Sequence, residues 1–125
     1  MIEKSIKFTT EDAKALAPTV SDREVHVLME AYAGELACRR DRWVDEMVDR
    51  YLELEGADLA TSQITCTPHA ATCDRMIVAV FTDDSRRKIK TGLACCAPDD
   101  DFDWRIGTAI AFARAMGEAV PIDLF

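Results

Sequence analysis

Met76-Ile77-Val78-Ala79-Val80-Phe81 decides the fold: an unbroken apolar run of strand length, bounded by the turn signal Thr82-Asp83-Asp84-Ser85. A strand that is apolar on both faces belongs at the centre of a sheet. The turn sends the chain back through Arg86 to Cys96, which reads as a second strand. There Ile89, Thr91, Leu93 and Cys95 share one face, and Lys88, Lys90, Gly92 and Ala94 the other, which reads as partly exposed. Asp99-Asp100-Asp101 then leads into a helix from Phe102 to Met116, closed by Gly117. Carboxylates suit a helix N-terminus and glycine suits its C-terminus, so Asp100 or Asp101 is the expected cap. Ile106, Ala109, Ile110, Ala113 and Met116 form the expected buried stripe, and with Trp104 they should cover Met76, Val78 and Val80. Together these signals make a ββα unit.

Upstream, Thr10 is placed to cap a short helix from Glu11 to Ala17, which Pro18 ends. Ser21 followed by Glu24 is a capping box. From it Val25, Leu28, Tyr32, Leu36, Trp43, Met47, Tyr51 and Leu54 recur at helical spacing. Arg39, Arg40 and Arg42 spread charge around one turn and Gly34 weakens it, so the stretch to Gly56 is either one long helix or two. Gln63 to Thr67 reads as a short strand before a loop at Pro68. The expectation is a single α+β domain over residues 1–125, with N-terminal helices packed on a small antiparallel sheet and a C-terminal ββα unit. A helix carrying Tyr32, Trp43, Met47 and Tyr51 has more apolar surface than one small sheet covers, which predicts a homodimer through it.

The 125 residues are 49% hydrophobic and 7% aromatic, the range of a globular chain. No run approaches the roughly 18 apolar residues of a membrane span. Met1-Ile2-Glu3-Lys4 lacks the apolar core of a signal peptide, so the expected location is the cytoplasm, with no membrane partner. A net charge of −8 argues against direct nucleic-acid binding, because phosphates repel an acidic surface. It permits the inverse role, in which an acidic protein occupies a basic groove on another protein. The five cysteines are an odd number without an export signal, and free thiols are the default.

Chemistry has few footholds. Cys66, His69 and Cys73, with Cys95, make a zinc-compatible inventory, but the spacing is C-x₂-H-x₃-C rather than paired C-x₂-C knuckles. A cysteine nucleophile with His26 or His69 as base would need both at one pocket. Nucleotide, zinc-protease and nucleophile-elbow motifs are missing. The reading is therefore a binding protein rather than an enzyme, with no cofactor and no metal expected.

The run from Val78 to Gly117 resembles a small family of phage and prophage proteins. The matching pieces are Asp83-Asp84-Ser85, Lys88 and Lys90, Asp101-Phe102-Asp103, and Gly107 through Ala109, Ala111 and Ala113 to Gly117. Ser85 stands where that family carries a turn glycine. The resemblance implies a phage context, in which small acidic proteins without enzyme motifs serve in counter-defence, anti-CRISPR inhibitors included. The expected function is thus stoichiometric inhibition of a host defence protein or nucleoprotein complex in the host cytoplasm. The expected binding residues are Asp99, Asp100, Asp103, Asp45, Glu46, Asp49 and Glu53, with the basic group Arg39, Arg40 and Arg42. A ligand-binding or catalytic pocket between long helix and sheet, and a zinc-stabilised module, are the alternatives.

Overall fold

The computed structural model describes residues 8–66, 74–81, 89–96 and 101–125. The chain divides into two compact units, residues 1–37 and 38–125. Helix α1 spans Thr10–Leu16, α2 Asp22–Gly56 and α3 Trp104–Ala115, while strands β1, β2 and β3 span Ala60–Cys66, Asp74–Phe81 and Ile89–Cys95. The α+β class is as the sequence predicts, and β2 is the central strand of an antiparallel meander ordered β1-β2-β3.

Helix α1 is capped by Thr9, one residue before the expected Thr10: the Thr9 hydroxyl accepts from the Asp12 amide, and the Asp12 carboxylate accepts from the Thr9 amide. Both threonines offer the hydroxyl, and Asp12 three residues on selects Thr9. A 3₁₀ turn at Ala17–Thr19 follows, with Pro18 inside it. Ser21 opens α2, its hydroxyl accepting from the Glu24 amide at 3.2 Å and donating to the Glu24 carboxylate. α2 then runs unbroken for 35 residues. Arginine is a strong helix former, so charge on every face of a turn does not interrupt it.

The core lies in the second unit, where Val44, Met47, Val48 and Tyr51 of α2 join Ala60, Met76, Val78, Val80 and Ala94 of the sheet and Phe112 of α3 in one buried cluster. Tyr51 ties helix to sheet by donating its hydroxyl to Ser62 Oγ at 2.7 Å, and its ring meets Phe112 edge-on at 6.1 Å. Trp43 meets Phe125 in the same way at 5.7 Å. Met47 and Tyr51 are therefore core residues and Trp43 is partly buried against them, so these three are not the free dimer face the sequence suggested.

Strand β3 is turned over relative to expectation. Gly92 and Ala94 are buried, and Ile89, Thr91, Leu93 and Cys95 are exposed. The cause is α3: a Cβ on Gly92 would overlap the Ala111 carbonyl oxygen and lie 2.5 Å from the Ala115 nitrogen. The helix seats its small residues on the strand's small residues, and backbone proximity outweighs side-chain hydrophobicity there. α3 accordingly buries Thr108, Ala109, Ala111, Phe112, Ala113 and Ala115. Ile106, Ile110 and Met116 are only partly buried, and Trp104, expected in the core, is 39% exposed.

The cap of α3 is Asp103, not Asp100 or Asp101. Its Oδ1 accepts from the amides of Arg105 at 2.9 Å and Ile106 at 3.2 Å. At the other end Gly117 adopts φ +72°, while the amides of Gly117 and Glu118 reach back to the carbonyls of Arg114 and Ala113, a Schellman closure.

Candidate functional site

The carboxylates of α2 sit opposite its buried side. With Val44, Met47, Val48 and Tyr51 facing the core, Asp45, Glu46, Asp49 and Glu53 are all exposed, as helical spacing requires. Asp45 is ion-paired with Arg105 of α3. That pair closes one side of a shallow depression of about 290 Å³ that is also lined by Arg40, Asp41, Val44 and Asp103. Asp103 thus shares one surface with Asp41 and Asp45, although these residues are far apart in sequence. Asp101, also exposed, borders a neighbouring cleft that includes Arg40 and Asp103.

The basic residues assigned to binding behave differently from one another. Arg42 is exposed. Arg40 is half-buried, and its Nε is enclosed without a hydrogen-bond partner among the described residues. It stands between the two depressions and borders both. Arg39 is exposed. Asp99 and Asp100 lie outside the described residues, as do His69 and Cys73; Cys66 ends β1, and Cys95 is exposed on β3. Among the described residues no three His, Cys, Asp or Glu side chains are grouped as a metal ion would require.

The second depression, about 490 Å³, lies between β3 and the start of α3. Phe102, Ile106, Ile110 and Phe125 give it an apolar wall, with Arg40, Asp101, Asp103 and Cys95 at its polar side.

The N-terminal unit presents a third surface that sequence spacing hinted at only through Val25, Leu28, Tyr32 and Leu36. Every residue of α2 from Asp22 to Leu36 is exposed, and α1 buries none. Together they line an apolar groove of about 730 Å³, whose walls are Phe8, Leu16, Val20, Val25, Leu28, Met29 and Tyr32 with Ala13 and Ala17. Phe8 belongs to this groove and was missed because it precedes the first helix and lies outside any helical period.

Compared with known proteins, the chain matches no family model, and neither the curated proteins nor the solved structures yield a match.

Proposed function

We propose that this protein acts by stoichiometric protein–protein binding, presenting its acidic face to a basic, nucleic-acid-binding surface of a host defence complex. The observation that supports this most is the exposed row of Asp45, Glu46, Asp49 and Glu53 along α2, beside a depression where Asp41 and Asp103 share a surface with Arg40 and Arg105. Carboxylates on an already folded helix attract a basic partner without a folding cost at the encounter. The net charge of −8 adds steering over the whole chain. The phage-like pieces from Val78 to Gly117 make a counter-defence role, such as inhibition of a CRISPR effector, the specific form of the reading.

The test is a titration of effector-complex binding to its nucleic acid. The reading requires loss of binding to saturate near one inhibitor per complex and to weaken with added salt. Inhibition at far below one equivalent would indicate catalysis instead.

A second reading attaches to the cleft walled by Phe102, Ile106, Ile110 and Phe125, whose rim holds Arg40 beside Asp101 and Asp103: a small, mainly apolar ligand. Native mass spectrometry of protein purified from its source host detects such a ligand as added mass that Phe102→Ala reduces.

A further inference from the structure

We infer that a second copy of this chain covers the apolar face of the N-terminal unit, with the two α2 helices packed on each other across a two-fold axis. This does not rest on the target reading, because the residues involved differ from the acidic face.

Three observations carry it. The first is an energetic gap. Neither α1 nor α2 as far as Leu36 buries a side chain, yet Phe8 is 68%, Met29 63% and Tyr32 65% exposed. Helices without a packed apolar face are marginal in water, so this unit is incomplete as a single copy. The second is spacing. Val25, Met29, Tyr32 and Leu36 follow one another at intervals of four, three and four residues, the seam of a helix that packs knobs into holes on another helix. A seam of this period needs a partner of the same period, and a two-fold axis supplies one from the same chain. The third is area. From typical side-chain areas, the exposed apolar groups offer on the order of 500 Å² per copy. Two copies reach about 1,000 Å², the floor for a specific interface, before polar rim residues are counted.

The experiment is sedimentation equilibrium on the full chain from about 1 to 300 µM, with wild type, Met29→Glu, Tyr32→Glu and the control Leu52→Glu. Leu52 is also exposed but belongs to the second unit. Wild type and the control should sediment at twice 13.9 kDa with the same Kd. Met29→Glu and Tyr32→Glu should weaken self-association at least about 100-fold, while near-ultraviolet circular dichroism shows the second unit still folded. A wild-type chain that stays monomeric at the highest concentration overturns the inference. So does a dimer that survives Met29→Glu and Tyr32→Glu, or one that Leu52→Glu disrupts.

Discussion

Asp58 closes α2 at φ 59°, in the left-handed region, where the Leu59 amide donates to the Leu54 carbonyl at 2.7 Å. Helix α2 ends at Gly56, where sequence reading puts it, but glycine is not the residue that adopts the left-handed conformation. The residue that turns is Asp58, which tolerates this conformation better than most L residues. Asp58→Gly should therefore stabilise the protein by about 0.5–1 kcal/mol, read from chemical denaturation; a loss would mean that the Asp58 side chain stabilises more than the backbone strain costs. At Gly117 the same motif was legible, because its glycine and the turning residue coincide. The α3 cap shows the opposite problem: Asp99, Asp100, Asp101 and Asp103 are chemically alike, and only backbone geometry singles out Asp103. Asp103→Ala should cost about 1 kcal/mol and Asp103→Asn much less. Tyr51 adds a pH dependence. Burial, only partly offset by the bond to Ser62, pushes its pKa above the ordinary value near 10. A raised folded pKa means that its contribution is intact below pH 10 and is lost as pH rises through the folded value. Thermal melts from pH 8 to 11 should show stability falling at the alkaline end, and Tyr51→Phe should flatten that fall.

At the level of elements, the central β2, its return strand β3 and the helices were legible from their periods and start and stop signals, whereas β1, read as Gln63 to Thr67, begins at Ala60, and the continuity of α2 was left open. Which face of β3 is buried was not. Ile89 and Leu93 are the more hydrophobic choice, but a helix that approaches to backbone contact can only do so over Gly92. That requirement comes from packing between elements, and no local pattern encodes it. Gly92→Ala should consequently cost more than about 3 kcal/mol or prevent folding, whereas Leu93→Ala, on the exposed face, should change stability by less than about 1 kcal/mol. Equal losses would mean that β3 is not seated on α3 as described. Within α3, Phe112→Ala should cost about 3–5 kcal/mol, and Ile110→Ala, only partly buried, clearly less. The long helix lost no continuity at Arg39 to Arg42, because its apolar positions shift from exposed to buried along its length without changing period.

For the whole molecule, sequence reading gave the acidic character and several of the acidic positions, but not their union. Asp45 and Asp103 meet through the Arg105 pair, a contact set by how α2 and α3 cover the sheet. The exposed N-terminal groove was visible only as a helical stripe, since its amphipathic pattern is the same whether its partner is the chain's own sheet or another molecule. The central claim, that the acidic face occupies a basic nucleic-acid site, is tested most directly by titrating a CRISPR effector's nucleic-acid binding with wild type and with a quadruple variant. That variant combines Asp45→Lys, Glu46→Lys, Asp49→Lys and Glu53→Lys, and leaves the Asp103 cap in place. The account predicts one-to-one, salt-sensitive inhibition by wild type and at least about 100-fold weaker inhibition by the variant, with the fold retained. Undiminished inhibition by the charge-reversed protein would contradict it.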